Sequence, residues 1–445
     1  MTRHAPILLG LLGLFACACA CTGALAQPPL TATGIALRLL DRLDAHDYSA
    51  AESAFGPQMA AAVPVDKLSA VWESLPAQAG AAHGRGAPVV STDAGVQLVA
   101  VPLHYEKAEL MAKVAVDATG QVIGFLIQPA PPSAAPAVAA DAGFIERDFS
   151  VGDATRALPG TLAMPDATHA PARGVPAVVL VQGSGPSDRD ETIGPNRPFL
   201  DIARGLAAKG IAVLRYEKRT KARPQDFASG DFTIDDETTD DAVAAVAALR
   251  ATKGIDPSRV FVLGHSQGAM MAPRIAARSG HVAGLVLLAA PARPLLDILV
   301  EQNIRLAVLD DGKTSPQEAD AIATLKQQVA AVRAGGDVPL QQSPLHQPAG
   351  YWRSTDVVHP VAEARAVARP MLFVQGARDI QVVDADWQAW KQGLQGDADV
   401  AFRLYPTLNH LGIAVGENEG LAGYGRAGHV DPTLVKDVAE WIRAH

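Results

Sequence analysis

Residues 264–268 of this 445-residue chain are Gly-His-Ser-Gln-Gly, and the segments on either side of them decide the fold. The preceding residues 259–263 are apolar and β-branched, which is typical of a strand, and residues 269–278 have the composition of a helix. A Gly-x-Ser-x-Gly stretch between a strand and a helix is typical of a nucleophile elbow. The turn requires glycines because it is tight, and the helix N-terminus favours negative charge that develops beside it. The stretch therefore predicts Ser266 as a catalytic nucleophile.

Strands and helices alternate along the chain from residue 143 to residue 445. Apolar runs predict strands at 178–182, 211–216, 285–289, 371–375 and 400–405, and helices are predicted at 199–209 and 240–252. The alternation predicts an α/β fold with a doubly wound, mostly parallel sheet. Residues from about 291 to 367 interrupt it with charged helical segments. An insertion at this edge of the sheet would cover the serine, so we expect a helical cap that shapes the substrate pocket.

The N-terminal part of the chain has a different pattern. Residues 31–128 combine a helical segment at 35–43 with β-rich segments at 96–105, 111–117 and 120–127. They predict a small α+β domain, and because its polar residues form no convergent cluster, we expect a packing or partner-binding role. Residues 129–142 are rich in proline and alanine and predict a semi-rigid linker.

Composition and charge exclude several classes of protein. With 49% hydrophobic residues, the chain is too apolar to be mainly disordered. The net charge is −9 and no basic block is present, so we expect neither nucleic acid nor an anionic membrane surface as a partner.

The first 26 residues have the features of a secretory signal peptide. Arg3 supplies the positive charge, residues 7–15 the apolar segment, and residues 24–26 (Ala-Leu-Ala) a small-residue cleavage site. We therefore expect export to the periplasm or beyond the cell, without stable membrane insertion after cleavage. The alternatives are a lipoprotein anchored through Cys17 and an uncleaved anchor. All 3 cysteines lie in this segment, so the mature protein would have no disulfide and no thiolate nucleophile.

In this architecture the acid and then the histidine follow the serine in chain order, each after a strand. Asp379 comes after the predicted strand 371–375, and His410 lies in the loop after strand 400–405. Other residues compete for both roles. Asp384 and Asp386 compete for the role of the acid, but we expect them to cap a following helix. His429 competes for the role of the base, but it lies just before the last helix.

Two backbone N–H groups must bind the oxyanion of the intermediate. One is expected at Gln267, directly after the nucleophile, and the other at Ser184, with Gly185 as second choice, in a glycine-rich loop. Arg189 is expected to hold this loop by charge-assisted hydrogen bonds. No metal or cofactor site is predicted, because His265 has no partners at ligand spacing.

Residues 183–192 and 213–219, together with the elbow, resemble the α/β-hydrolase superfamily over about residues 143–445. Within it the chain is similar to exported bacterial esterases of the serine aminopeptidase-like group. Members of that group often carry a small N-terminal domain of unknown function and are usually carboxylesterases. The resemblance implies a serine carboxylic ester hydrolase that needs no cofactor and acts on a small-molecule ester.

Two other functions remain open from the sequence. One is a peptidase or amidase of the same fold, in which Glu301 or Asp310 of the cap would bind a substrate amino group. The other is a binding protein on a hydrolase scaffold, which the presence of serine, acid and histidine together disfavours.

Overall fold

The computed structural model describes residues 31–445 except 94, 107, 131–134, 167–172, 229, 231, 310–311 and 418. The predicted signal peptide 1–26, with Cys17, lies outside the described residues. The chain divides into two compact units. Within the described ranges, no helix has the length and apolar character needed to cross a membrane.

The first unit contains four helices and most of an antiparallel sheet. The helices are α1 (Ala32–Asp44), α2 (Tyr48–Glu52), α3 (Pro57–Ala62) and α4 (Val65–Ala79), and the strands are β1 (Ala82–Arg85), β2 (Val89–Asp93), β3 (Val96–Tyr105), β4 (Glu109–Val116) and β5 (Val122–Pro129). The sheet order is β1-β3-β4-β5, and β2 also pairs with β3. Of this sheet, all of β1 (within residues 79–85) and the parts of β3, β4 and β5 within residues 103–111 and 128–129 group with the second unit instead. Helix α1 begins where the Thr31 side chain accepts a hydrogen bond from the N–H of Gly34, and it buries an apolar face.

The second unit holds the remaining elements. Its strands are β6 (Phe144–Val151), β7 (Leu158–Pro165), β8 (Val175–Val181), β9 (Ala212–Tyr216), β10 (Ile255–His265), β11 (Leu285–Leu288), β12 (Met371–Gly376) and β13 (Val400–Tyr405). Its α-helices are α5 (Pro198–Ala207), α6 (Arg219–Ala222), α7 (Asp240–Arg250), α8 (Gln267–Ser279), α9 (Leu295–Leu306), α10 (Pro316–Ala334), α11 (Ala349–Asp356), α12 (Pro360–Val367), α13 (Asp384–Gly393), α14 (Ala422–Gly425) and α15 (Pro432–Ala444).

These eight strands form one sheet in the order β13-β12-β11-β10-β8-β9-β7-β6. Adjacent strands along the sheet from β13 through β12, β11, β10 and β8 to β9 are parallel. At the other edge, β7 pairs antiparallel with β9, and β6 pairs antiparallel with β7. The predicted fold class, a doubly wound and mostly parallel α/β sheet preceded by a small α+β unit, is confirmed. The loops that follow β8, β10, β12 and β13 meet at one edge, because carboxyl ends of parallel strands lie together.

The core lies on both faces of this sheet. All residues of β8 are buried, and they alternate between two clusters: Val178 and Leu180 pack with α5 and α15, whereas Val179 and Val181 pack with α7 and α8. Helices on both faces explain why the central strands are continuous apolar runs rather than alternating ones.

Helices α9 to α12 lie between β11 and β12, within the interval where a helical cap was expected. The longest of them, α10, begins with a capping box, in which Ser315 and Glu318 each accept a hydrogen bond from the other's backbone N–H. We call residues 295–367 the cap.

Candidate active site

Ser266 occupies a strained turn between β10 and α8. Its φ of 53° and ψ of −121° lie in a region that residues with side chains rarely adopt. A Cβ atom on Gly264 would lie 2.5 Å from the N atom of Ala269, and one on Gly268 would lie 2.6 Å from the carbonyl O of Gln182. Both positions therefore require glycine, and the turn presents the serine at the carboxyl end of β10.

Asp379 and His410 form a buried pair at the ends of β12 and β13. His410 Nδ1 lies 2.8 Å from Asp379 Oδ2, and both side chains are buried. The other carboxylate oxygen, Oδ1, accepts hydrogen bonds from the backbone N–H groups of Gln381 at 2.8 Å and Val382 at 3.0 Å. The carboxylate is thus held in one orientation, with a single oxygen directed at the imidazole.

The two competing acids lie elsewhere, and the capping role expected for them is wrong. Helix α13 has Val383 as its N-cap with no side-chain cap, and Asp384 is its exposed first residue. Asp386 is 0% exposed and accepts hydrogen bonds from Arg293 and from the N–H of Ala292. Burial on the inner face of α13 lets Asp386 bind Arg293, which no local pattern indicates.

His429 is separated from this pair. Its side chain is 89% exposed and lies 3.1 Å from Asp201. Its neighbour Val430 donates its N–H to the same carboxylate. Of the two candidate histidines, only His410 contacts Asp379 among the described residues.

Among the described residues, no hydrogen bond joins Ser266 Oγ to the His410 imidazole. The residue that contacts His410 is His265, the neighbour of the serine. His265 Nε2 lies 2.9 Å from the carbonyl O of His410, and the two imidazole rings are 4.7 Å apart. Contacts between nucleophile and base are often loose without substrate and tighten in the reacting complex.

The loop after β8 packs against the elbow. A Cβ atom on Gly183 would lie 3.2 Å from the Cβ of Ser266. Within the part of the chain that the structure describes, the backbone N–H groups of Ser184 and Gln267 donate to no other residue. They are the two groups that the sequence predicts as oxyanion donors, and this remains a prediction.

Arg189 ties this loop to the neighbouring strands. Its Nε donates to Glu217 at 2.8 Å, and its Nη1 donates to Thr161 Oγ1 at 2.9 Å and to the carbonyl O of Gly160 at 3.1 Å. These partners leave the guanidinium engaged within the protein.

A second histidine-carboxylate pair lies beside the first. His265 Nδ1 is 2.9 Å from Glu191 Oε1 but without hydrogen-bond geometry, so we describe the contact as an ion pair. Glu191 Oε1 also accepts the N–H of Gly183 at 2.6 Å. Burial alone would lower the pKa of His265, but the Glu191 carboxylate, together with the His410 carbonyl and Asp379, raises it. Sequence analysis missed Glu191, because nothing local distinguishes it from a solvated loop acid.

A buried polar cluster extends from the elbow to the cap. Lys218 Nζ lies 3.0 Å from Glu237 Oε1, and Glu237 Oε2 accepts hydrogen bonds from Gln267 at 3.0 Å and from Tyr351 at 2.9 Å. We call these four side chains the Lys218–Glu237 cluster. The sequence did not predict this cluster, and of Gln267 it predicted a role only for the backbone N–H.

Two acids were considered as anchors for a substrate amine. Glu301 lies 2.7 Å from Arg293. Asp310 lies outside the described residues. In the described ranges, no three His, Cys, Asp or Glu side chains are grouped closely enough to bind a metal ion.

A cleft of about 560 Å³ lies between α9, α10 and residues 419–422. Its walls carry Leu306, Leu309, Ile322 and Leu421, and its acids Glu318 and Glu419 are bonded to the N–H of Ser315 and to Arg426. The cap therefore presents a mainly apolar surface with no free acid among these residues.

Comparison with known proteins places these features in a family. The family described as "Serine aminopeptidase, S33" matches residues 197–414, which include Ser266, Asp379 and His410. A family of unknown function, DUF3887, matches residues 36–125. Esterase EstD of Thermotoga maritima is 34% identical over 409 residues, which cover 92% of this chain and 94% of that protein.

Solved structures with detectable similarity include both esterases and peptidases. The esterase Pf2001 of Pyrococcus furiosus is 16% identical, with a TM-score of 0.43, over 71% of this chain and 98% of its own. A puromycin-hydrolysing peptidase of Mycobacterium tuberculosis is 18% identical, with a TM-score of 0.45, over 80% of this chain and 47% of its own.

Proposed function

This chain belongs to the α/β-hydrolase superfamily, in its serine aminopeptidase-like branch, and is a hydrolase of the esterase type; from that premise we propose that it cleaves small carboxylic esters through a Ser266–His410–Asp379 triad. The observation that carries the proposal is the buried 2.8 Å contact between His410 and Asp379 beside the strained elbow of Ser266. Serine hydroxyls are poor nucleophiles until a base removes their proton, and this arrangement supplies one.

In the first step, Ser266 Oγ attacks the ester carbonyl carbon while His410 Nε2 takes the hydroxyl proton. The carbonyl double bond becomes a C–O⁻ single bond, and the backbone N–H groups of Ser184 and Gln267 donate to that oxygen. Asp379 accepts from Nδ1–H of His410 and stabilises the imidazolium that forms.

In the second step, the tetrahedral intermediate collapses to an acyl-enzyme. The bond between the former carbonyl carbon and the oxygen of the alcohol breaks as the carbonyl double bond re-forms. His410 returns the proton to that oxygen, so the alcohol leaves neutral. Water then attacks the acyl carbon while His410 takes one of its protons. The bond between the acyl carbon and Ser266 Oγ breaks, His410 returns the proton to Oγ, and the carboxylic acid leaves. The partner of this reaction is a small-molecule ester.

The proposal is tested by hydrolysis of p-nitrophenyl esters from acetate to laurate. We expect the wild type to turn over short esters and Ser266→Ala to lose at least about 10³-fold in kcat/KM. The matched control is Ser279→Ala, at the far end of the same helix α8, which should retain activity. Full activity of Ser266→Ala would show that the nucleophile is another residue.

Two alternatives are outcomes of the same experiment. Aminoacyl p-nitroanilides cleaved faster than any ester would identify a peptidase, as the family description suggests. Failure of a fluorophosphonate probe to label the wild type would identify a binding protein, because labelling requires an activated serine.

We also propose that the enzyme is exported, on the charge, apolar run and small-residue site of residues 1–26. N-terminal sequencing of the mature protein should begin at Gln27. A lipid-modified Cys17 at the N-terminus would instead show the lipoprotein alternative.

A further inference from the structure

Lys218 and Glu237 are charged residues in a place where charge is costly. Lys218 is 2% exposed and Glu237 is 4% exposed, and they lie 3.0 Å apart. Such a buried ion pair contributes little net stability, because desolvation offsets most of the attraction between the charges. Its remaining contacts, rather than its stability, therefore indicate what it does.

Lys218 determines how the loop after β8 presents its N–H groups. Its Nζ donates to the carbonyl O of Gly183 at 2.7 Å. That carbonyl and the N–H of Ser184 belong to the same peptide unit, and in a trans peptide the two groups point in opposite directions. A hydrogen bond that holds the Gly183 carbonyl towards Lys218 therefore also sets the direction of the Ser184 N–H.

The preceding peptide unit is held as well. The N–H of Gly183 donates to Glu191 at 2.6 Å, so it is not available to an oxyanion. With both polar groups of Gly183 bonded, rotation of the peptide that carries the Ser184 N–H would break the contact with Lys218.

Glu237 acts on the other proposed donor. It lies in a π-helical turn, Asp235–Thr239, and accepts the side-chain amide of Gln267 at 3.0 Å. Because Gln267 is the first residue of α8, this contact holds the residue whose backbone N–H is the other proposed donor. π-Helical turns are often found at functional sites.

Tyr351 connects the same carboxylate to the cap. It donates to Glu237 Oε2 at 2.9 Å and lies 3.2 Å from the Gln267 amide. Burial, and next the Glu237 carboxylate, raise the pKa of Tyr351 well above its ordinary value, so the hydroxyl remains a neutral donor.

We propose that Lys218 and Glu237 are positioning residues that align both N–H donors of the oxyanion hole. They would do so without touching the substrate, since Lys218 acts through the Gly183–Ser184 peptide and Glu237 acts through Gln267. The proposal rests on the proposed function, because it presupposes an oxyanion formed at Ser266.

The test compares Lys218→Met, Glu237→Gln and the double variant with the matched control Lys221→Met, which removes an exposed lysine nearby. The double variant is the decisive one, because it leaves no unpaired buried charge. Each protein is assayed for kcat and KM on a p-nitrophenyl ester and for inhibition by a phenylboronic acid. Boronic acids form a tetrahedral adduct with the serine and thus report on the oxyanion hole directly.

We expect the double variant to be folded by circular dichroism and to lose roughly 10- to 100-fold in kcat, somewhat less than deletion of a donor. Its affinity for the boronic acid should fall by a similar factor, and KM should change by less than about threefold. Lys221→Met should match the wild type. A purely structural role would lower the unfolding temperature without this shared loss of kcat and boronate affinity.

Either of two results overturns the proposal: kcat of the folded double variant within about twofold of the wild type, or a loss of kcat with unchanged boronate affinity. If the double variant does not fold, Tyr351→Phe replaces it. We then expect a loss of about threefold both in kcat and in affinity for the boronic acid. No change in kcat or in boronic acid affinity would overturn the proposal. A wild type that neither hydrolyses esters nor binds the boronic acid contradicts the proposed function instead.

Discussion

Replacing Asp379 with asparagine should change the proton position on His410 without changing the shape of the site. The amide must place its NH₂ group at one of the two former carboxylate oxygens. At Oδ1 it would face the N–H groups of Gln381 and Val382, which leaves two buried donors unpaired. At Oδ2 it would face His410 and the side-chain amide of Gln375.

Each buried unpaired donor costs about 1–3 kcal/mol, so two of them disfavour the first orientation. The second orientation leaves the Gln375 amide its hydrogen bonds to the carbonyl O atoms of Gly376 and Val382, and it directs the NH₂ group at His410. His410 Nδ1 must then accept a hydrogen bond, so its proton moves to Nε2. An imidazole protonated at Nε2 cannot take the proton of Ser266, and we expect kcat to fall about 10⁴-fold, as for other buried triad carboxylates.

The assay is kcat/KM for p-nitrophenyl acetate between pH 6 and pH 9, alongside chemical unfolding of each variant. Asp384→Asn makes the same chemical change at an exposed residue and should behave as the wild type. A loss of less than about tenfold in folded Asp379→Asn would refute the tautomer argument and the assignment of the acid.

Two further predictions concern stability. Gly268→Ala should lower the free energy of unfolding by about 3 kcal/mol or more, because the new methyl would overlap the backbone of Val181. The control Gly350→Ala, whose methyl would meet no atom within 4 Å, should be neutral or mildly stabilising. Urea unfolding measures both variants, and equal stability of the two would contradict the packing argument. Because Glu191 raises the pKa of His265 in the folded state, the pair stabilises the folded protein fully below about pH 6.5, and this stabilisation is lost as the pH rises through the raised pKa. The difference in unfolding free energy between the wild type and His265→Asn should therefore shrink from pH 6 to pH 9. A difference that grows would contradict the ion pair.

The fold and the reactive side chains were predictable because their signals are local. A glycine on each side of Ser266, an apolar strand before it and a helix after it specify the elbow within residues 259–278. Asp379 and His410 follow their strands directly, and the parallel sheet brings the ends of β12 and β13 together. The structure pairs these two side chains at 2.8 Å, although their catalytic roles stay predictions until the variants are assayed.

The polar contacts around the site were not predictable in the same way. Asp386 was expected to cap α13, but its helix face is buried and it binds Arg293, a residue 93 positions away in the chain. Capping signals describe the first turn of a helix, whereas burial of a particular helix face depends on what packs against it.

What the sequence determined by itself was the order of the strands and helices, the elbow, and the places of Ser266, Asp379 and His410 after their strands. Only the tertiary structure decided which charged residues are buried together, as Glu191 with His265 and Lys218 with Glu237. The physical reason is that backbone turns and apolar periodicity depend on near neighbours, while a buried charge is stabilised by a partner that folding brings from elsewhere. In the sequence, these four residues have the same appearance as charges on a solvated surface.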